Sequence, residues 1–255
     1  MPQGFIWYEL ITRDPEAAAG FYGALLGWTA EDSGQPGMDY RFFKRDGAGV
    51  GGLMKIPAEA AANGMPPAWY GYVHVPDVDA TVARFLAAGG SAPMPATTLA
   101  GVGRMAMLTD PQGASLYVMT PSGSGESSSF APGKPGHGAW HELHARDWEA
   151  ALAFYGKEFG WAQFAATPMG AGRTYLQFNV GSGPPIGGMM SDTQAQRPHW
   201  LYVFAVEDID AAHRRLLAQG GECLVEPHEV RPGDFVVHAR DPQGARFALV
   251  GPRSA

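Results

Sequence analysis

The chain is short of cysteine, of basic residues and of long apolar runs. Its 255 residues include one cysteine, so neither an internal disulfide nor a thiolate metal cluster can form. Lysine and arginine number 18 against 25 aspartates and glutamates, which argues against nucleic acid or an anionic membrane as a partner. No segment approaches the roughly 18 apolar residues of a membrane span, and the N-terminal residues MPQGFIWYEL lack the pattern of a secretory signal. These shortages together predict a cytoplasmic protein.

Internal repetition is the strongest pattern that the sequence contains. The segment WYELITRDPEAAAGFYGALLGW returns 133 residues later as WHELHARDWEAALAFYGKEFGW. Further matches, including DPQG at 110–113 and at 241–244, are offset by 131. Residues 121–138 between the copies are rich in Gly, Ser and Pro, which predicts a flexible linker. We therefore predict two homologous domains, at 4–120 and 139–252.

Each copy divides again into two similar repeats. Residues 5–56, 69–120, 139–190 and 199–250 each show a strand pattern, an Ala-rich amphipathic helix and about three further short strands. This predicts an α+β fold built from four βαβββ repeats, numbered here first to fourth. An aspartate stands at each helix start, where its carboxylate can accept from free backbone N–H groups, so we interpret these residues as caps. They are Asp14, Asp77, Asp147 and Asp208.

Paired βαβββ repeats with the D…FY…GW and DPQG signals resemble the vicinal oxygen chelate superfamily of glyoxalases, bleomycin-resistance proteins and extradiol dioxygenases. The resemblance covers nearly the whole chain except the linker. Its motifs are specific for the fold and poor guides to the reaction, because one fold hosts many chemistries. The resemblance implies two cup-shaped domains of mixed sheet, each able to hold a small molecule, in a monomer with internal pseudo-twofold symmetry.

The metal ligands of that family do not carry over to this sequence. Metal-binding members place a histidine, glutamine or glutamate on the first strand of a repeat and a glutamate on the final strand. An ion needs several oxygen or imidazole donors, so the resemblance implies no cofactor and no metal at that position. The mapped positions are Trp7, Tyr70, Trp140 and Leu201 on first strands, and Tyr117 and Ala248 on final strands.

Strand alternation supplies other candidates, shifted by two residues from the mapped positions. Glu9 shares a strand face with Trp7, and Glu142 shares one with Trp140, so we predict these glutamates as catalytic bases in partly apolar surroundings. A weak metal site that uses Glu9, His74, Glu142 or His144 is the alternative. His213, beside two arginines, is expected on an exposed helix face. The predicted ligand-binding residues are Trp7, Tyr70, Tyr72, His74, Tyr117, Trp140 and His144.

Three functions remain open at this level. The first is a glyoxalase-like lyase or isomerase that acts on a small carbonyl or enol-forming substrate. The second is a binding or sequestering protein of the resistance type, which needs only an apolar aromatic cup and performs no chemistry. The third is a regulatory module that binds another protein. The missing ligands favour binding over metal catalysis, whereas the two retained glutamates favour a working site.

Overall fold

The computed structural model describes residues 3–35, 37–192 and 197–254. The first two repeats follow the predicted order of strand, helix and three strands, with a short extra helix between them. Their elements are β1 (Phe5–Thr12), α1 (Pro15–Leu26), β2 (Thr29–Asp32), β3 (Tyr40–Arg45), β4 (Ala48–Lys55), α2 (Ala58–Ala62), β5 (Ala68–His74), α3 (Val78–Ala87), β6 (Ser91–Leu99), β7 (Gly103–Thr109) and β8 (Ser115–Pro121).

The third and fourth repeats have the same order. Their elements are β9 (Gly138–Ala145), α4 (Trp148–Phe159), β10 (Trp161–Pro168), β11 (Thr174–Val180), β12 (Pro185–Ser191), β13 (His199–Ala205), α5 (Ile209–Ala218), β14 (Glu222–Arg231), β15 (Asp234–Arg240) and β16 (Arg246–Pro252).

The strands form two eight-stranded mixed sheets. Their orders are β2-β3-β4-β1-β5-β8-β7-β6 and β10-β11-β12-β9-β13-β16-β15-β14. In every repeat the first and last strands run parallel, and the strands between them pair antiparallel. The predicted α+β fold of four βαβββ repeats is confirmed. Across the described ranges, no helix combines the length and hydropathy that crossing a membrane would require.

The chain is organised in two compact units. The central-repeat unit comprises the residues up to Ile6 together with Gly71–Glu126 and Trp140–Leu201, and thus most of the second and third repeats. The terminal-repeat unit comprises Trp7–Tyr70, Ser127–Ala139 and the residues from Tyr202 onward, and thus most of the first and fourth repeats. The domain boundaries 4–120 and 139–252 stay a prediction.

The DPQG turn joins two repeats within the central-repeat unit. Tyr155 of α4 donates to Asp110 Oδ2 at 2.9 Å, while Asp110 Oδ1 accepts the backbone N–H of Gln112 at 2.8 Å. The Gln112 side chain then accepts from the Asp147 N–H at 2.9 Å and donates to the Asp147 carbonyl at 2.7 Å. The turn and the FY pair therefore recur together in the sequence because they bind each other in the fold.

The terminal-repeat unit repeats this arrangement with the other copies of the motifs. Tyr22 donates to Asp241 Oδ2 at 3.1 Å, and the side chain of Gln243 both accepts from and donates to the backbone of Asp14 at 2.8 Å. Burial raises the pKa of Asp241, against the opposing effect of the hydrogen bonds that its carboxylate accepts. The first and fourth repeats are thereby tied to each other through buried and surface bonds.

The predicted helix caps are confirmed at all four positions. Each aspartate side chain accepts a backbone N–H from the first turn of its helix. The cap bonds measure 3.1 Å from Ala17 to Asp14, 2.9 Å from Ala80 to Asp77, 3.1 Å from Ala150 to Asp147 and 2.8 Å from Ala211 to Asp208.

The end of the predicted linker packs against the first repeat. Trp28 donates its indole N–H to the carbonyl of Gly136 at 2.8 Å, and Phe130 forms an isolated parallel bridge with Gly138. The side chain of His137 is buried, with Nδ1 2.7 Å from the carbonyl of Ser128. The flexibility expected of residues 121–138 stays a prediction.

Candidate functional site

Strand β9 presents alternate side chains to two different environments. Trp140, Glu142 and His144 share one face, as the period of two requires. His141 faces the other way, where its ring stacks on Phe5 at 3.9 Å. Burial lowers the pKa of His141 to about 3, despite a contact of 2.6 Å to the carbonyl of Ile186. His141 is therefore a neutral core residue, and Trp140, Glu142 and His144 lie on the opposite face of β9.

A continuous polar chain runs along that opposite face. The Trp140 indole donates to the Tyr175 hydroxyl at 2.7 Å, and the Tyr175 hydroxyl donates to Glu142 Oε2 at 3.0 Å. Glu142 Oε1 lies 2.7 Å from His144 Nε2, and His144 Nδ1 lies 3.0 Å from Asp192 Oδ2. We call these five residues the β9 polar chain. Each carboxylate oxygen of Glu142 thus has a separate proton-bearing neighbour.

The two carboxylates beside His144 favour its protonated form. Burial disfavours the imidazolium, but hydrogen bonding and charge from Glu142 and Asp192 outweigh this and raise the pKa of His144. Its ring also stacks on the ring of His199, with centroids 4.7 Å apart and planes 9° from parallel. Asp192 therefore lies beside one ring nitrogen of His144 and Glu142 beside the other.

Burial strengthens the electrostatic interactions within the β9 polar chain. Glu142 is 8% exposed, and the His144 side chain is 12% exposed, so water screens their interaction weakly. Burial raises the pKa of Tyr175 well above its ordinary value, and the charge of Glu142 adds to that effect. Tyr175 consequently stays a hydroxyl donor at neutral pH.

A glycine on the neighbouring strand makes room for this arrangement. Gly188 of β12 stands opposite Glu142 on one side and opposite Gln177 of β11 on the other. A Cβ atom at this position would collide with the ring and hydroxyl of Tyr175. The absence of a side chain at Gly188 therefore lets Tyr175 cross the strand and reach Glu142.

The first repeat contains the same framework without the histidine. Trp7 donates to the Tyr40 hydroxyl at 3.0 Å, and a Cβ at Gly52 would collide with that hydroxyl. Glu9 stands opposite Gly52 and is 3% exposed. At the position 133 residues before His144, however, the sequence has Ile11. The structure therefore gives an imidazole partner of this kind to Glu142, and an aliphatic side chain stands at the matching place beside Glu9.

The remaining predicted ligand-binding residues are mostly buried. Tyr72 and Tyr117 are neighbours in register and stack at 4.4 Å with planes 4° apart. Burial, followed by the charge of Glu9, raises the pKa of Tyr70 to about 12. His74 is 9% exposed, and burial lowers its pKa. Their role in ligand binding stays a prediction, as does the proposed meeting of His74 with Glu9.

Three members of the site were not predicted from the sequence. Tyr175, Asp192 and His199 lie on other strands or after them, and only strand register brings them to β9. One sequence signal was available for Tyr175, because it stands at a place in the third repeat comparable to that of Tyr40 in the first. In the structure the two hydroxyls accept from the equivalent tryptophans, Trp140 and Trp7. Asp192 carries no such signal.

The residues at the mapped metal positions do not fit an ion. Leu201 and Ala248 are buried apolar residues, and the other four positions carry tryptophan or tyrosine. Glu142 and His144, two and four residues beyond Trp140, do offer an oxygen and a nitrogen donor. That no metal binds at the family position stays a prediction.

Comparisons with known proteins agree with the fold and with the repeat. The model of the Glyoxalase/Bleomycin resistance protein/Dioxygenase superfamily matches twice, over residues 4–117 and 137–249. "Putative glyoxylase CFP32" of Mycobacterium tuberculosis is 34% identical over 250 residues, which cover 96% of this chain and 94% of that protein. "Anthracycline biosynthesis protein DnrV" of Streptomyces peucetius is 34% identical over 256 residues, which cover 96% and 91%.

Solved structures are similar in fold alone. The Mn(II)-bound glyoxalase from Novosphingobium aromaticivorans superposes with a TM-score of 0.67 at 16% identity, covering 98% of this chain and 82% of that one. The 2,3-dioxygenase LapB from Pseudomonas sp. KL28 gives a TM-score of 0.65 at 14% identity, covering 98% and 92%. From the double family match and the relatives at 34% identity, the chain belongs to the glyoxalase/bleomycin resistance protein/dioxygenase superfamily.

Proposed function

We propose that this chain is a glyoxalase-like enzyme of the lyase or isomerase type, acting on a small carbonyl or enol-forming substrate. The observation that carries the proposal is the β9 polar chain, in which Glu142 and a histidine of raised pKa face each other at 2.7 Å. The two ring nitrogens of this histidine lie beside two different carboxylates. Groups with shifted pKa values in close contact are typical of sites that move protons.

Glu142 is proposed as the base and His144 as the acid. When the substrate binds, its carbonyl oxygen takes the place of Glu142 Oε1 beside His144 Nε2. Glu142 then removes a proton from the carbon beside the substrate carbonyl, while the His144 imidazolium donates a hydrogen bond to the carbonyl oxygen and protonates the resulting enolate. Asp192 fixes the orientation of the ring, and Tyr175 holds the other oxygen of Glu142. No step of this scheme passes through a metal.

A binding function without chemistry is the second candidate. It is favoured by the aromatic side chains at four of the six mapped metal positions, namely Trp7, Tyr70, Tyr117 and Trp140. Flat apolar ligands stack on such surfaces. The relative named for anthracycline biosynthesis makes polycyclic aromatic ketones a reasonable class of ligand to test. In this case the glutamates would be dispensable.

Proton exchange in D2O separates the two functions. A panel of small 2-oxo aldehydes, diketones and aromatic ketones is incubated with the protein, and deuterium incorporation beside the carbonyl is followed by NMR. Glu142→Gln should slow exchange by about 100-fold or more, which is the usual contribution of a general base. Glu9→Gln is the matched comparison, because it changes the same framework where Ile11 stands in place of the histidine. Exchange near the wild-type rate is expected, and slowed exchange would support the prediction that Glu9 is a catalytic base as well.

Two results would contradict the enzyme proposal. One is exchange that is equally fast in wild type, Glu142→Gln and His144→Gln. The other is absence of exchange with every compound while tryptophan fluorescence reports tight binding that Glu142→Gln leaves unchanged, which would establish the binding function instead. The cytoplasmic location stays a prediction and plays no part in this test.

A further inference from the structure

A second group of metal-ligating side chains lies in the terminal-repeat unit, where α5 packs on β14. His213 comes from α5, and Cys223 and Glu226 come from β14. One ligand atom from each, an imidazole nitrogen, a thiol sulfur and a carboxylate oxygen, lie within 4.8 Å of one another. The proposed proton transfer uses none of the three residues.

The irregular course of β14 brings Cys223 and Glu226 to the same side. Residues three apart on a regular strand point to opposite faces. Here Cys223 stands opposite Ala239 and Val225 opposite His238, so a bulge at Leu224 places Val225 on the face away from Cys223. A second irregularity follows between Val225 and His228. With these two departures from regular alternation, a carboxylate oxygen of Glu226 lies within 4.8 Å of the Cys223 sulfur.

His213 completes the group from the facing helix. Its side chain is only 18% exposed, so the expectation of an exposed position was wrong, because α5 turns this residue toward β14. Its Nε2 atom is shielded from water and makes no hydrogen bond within the described part of the chain. The nearest carboxylate oxygen, Glu226 Oε2, is 3.8 Å away, which is too far for a hydrogen bond. A buried ring nitrogen without a hydrogen bond lowers the stability of the fold unless a further group binds it.

We propose that His213, Cys223 and Glu226 form a binding site for a thiophilic divalent cation of the zinc class. Thiolate, imidazole and carboxylate are the ligands that zinc takes in proteins, and bond lengths of about 2.0 to 2.3 Å place such atoms roughly 3 to 4 Å apart. The three ligand atoms lie within 4.8 Å of one another, and rotation of the Glu226 side chain, which is 79% exposed, brings them into that range. Water from the exposed side supplies the fourth position.

Binding requires loss of the thiol proton. A thiol binds zinc as the thiolate, so the proton on Cys223 must leave when the ion binds. The ion replaces this proton, a sulfur–metal bond forms, and the proton passes to solvent. The apparent affinity should therefore increase with pH.

Cobalt(II) is the probe that tests the site. Titration of untagged protein with Co²⁺ should produce a thiolate-to-cobalt charge-transfer band that saturates at one equivalent and disappears when Zn²⁺ is added. The chain has one cysteine, so the band can come from Cys223 alone. Cys223→Ser should abolish the band, and His213→Gln should weaken Co²⁺ binding by about 10-fold or more. His228→Gln on the same strand is the control and should leave both unchanged.

A second measurement does not depend on any variant folding correctly. Zn²⁺ should slow alkylation of Cys223 by iodoacetamide in the wild-type protein by about 10-fold, because the thiolate is then coordinated. Absence of the charge-transfer band at saturating Co²⁺, or equal alkylation rates with and without Zn²⁺, would overturn the proposal. A band that survives in His213→Gln at unchanged affinity would do so as well, because it would show that the helix contributes no ligand.

Discussion

At the scale of single residues, His144 links the candidate site to the stability of the fold. Its folded pKa is raised above the unfolded value of about 6.5 by Glu142 and Asp192, against the effect of burial. A raised pKa means that the folded state binds the proton more tightly than the unfolded state. The contribution of His144 to stability is therefore fully present below about pH 6.5, and it is lost as pH rises through the folded pKa.

We expect His144→Gln to lower the free energy of unfolding by about 1 to 3 kcal/mol below pH 6.5, where the imidazolium pairs with two carboxylates. The difference between wild type and variant should shrink at higher pH. Denaturant unfolding at a series of pH values measures it, with His228→Gln as the control at an exposed histidine. A difference that grows with pH would mean that the folded protein holds His144 neutral, contrary to its contacts.

Part of the β9 polar chain could be predicted from the sequence. Alternation along β9 is enough to place Trp140, Glu142 and His144 on one face, because a strand has a period of two. Tyr175 and Asp192 belong to the same chain of contacts, yet their distance from β9 depends on the register of β11 and on where β12 ends. Neither register nor strand length is encoded in a pattern that a single sequence displays.

At the scale of elements, Gly188 decides whether β11 and β9 can share a hydrogen bond. We expect Gly188→Ala to displace Tyr175 from Glu142, because the new methyl group would occupy the place of its ring. The variant should lose about 1 to 3 kcal/mol of stability through overpacking and should also slow proton exchange. Thermal unfolding and the D2O assay measure both effects.

Gly20→Ala provides the matched control for that substitution. Gly20 lies inside α1, and a Cβ atom there meets nothing within 4 Å. Because alanine favours a helix over glycine, this variant should be neutral or more stable by up to about 1 kcal/mol. If Gly188→Ala behaved like Gly20→Ala, the close approach of Tyr175 would not be a requirement of the site.

The two DPQG glutamines make a comparable prediction for the helix starts. Gln112→Ala removes hydrogen bonds to the backbone of Asp147 and Arg146, and Gln243→Ala removes those to Asp14. Each should lower stability by about 1 to 2 kcal/mol and speed amide exchange at the start of α4 or α1, respectively. Gln163→Ala, at an exposed position on β10, should change neither. Unaltered exchange at α4 in Gln112→Ala would show that the cap holds the helix without the turn.

At the scale of the whole molecule, the repeat made the fold predictable. One pattern occurs in four copies that are related by two fixed offsets. Each copy independently indicates a first strand, a capping aspartate and a helix. The partners that hold each compact unit together were not predictable in the same way. The bonds between DPQG and the helix starts involve surface turns, which have no periodicity. The exposed position expected for His213 was wrong because the packing of α5 on β14 is a contact between distant parts of the chain.

Metal content is the remaining prediction at this scale. We expect no stoichiometric divalent ion at the mapped family positions, because they carry no acid or histidine. Native mass spectrometry with elemental analysis of untagged Cys223→Ser protein tests this, since that variant removes the site proposed on β14. One equivalent of zinc, manganese or iron, lost in His144→Gln, would show that the family's metal has moved along β9.

The bond between Gln243 and Asp14 spans 229 positions of the chain. During synthesis, the first repeat leaves the ribosome long before Gln243 is added. Until then, Asp14 at the start of α1 lacks its hydrogen bonds to that glutamine. The central-repeat unit, whose last segment ends at Leu201, has its partners together sooner. Chain synthesis therefore imposes an order in which the middle of the protein matures first and its opening segment waits, with apolar surface uncovered, for the final strands. Nascent chains arrested shortly before residue 241 would be the stage most dependent on chaperones.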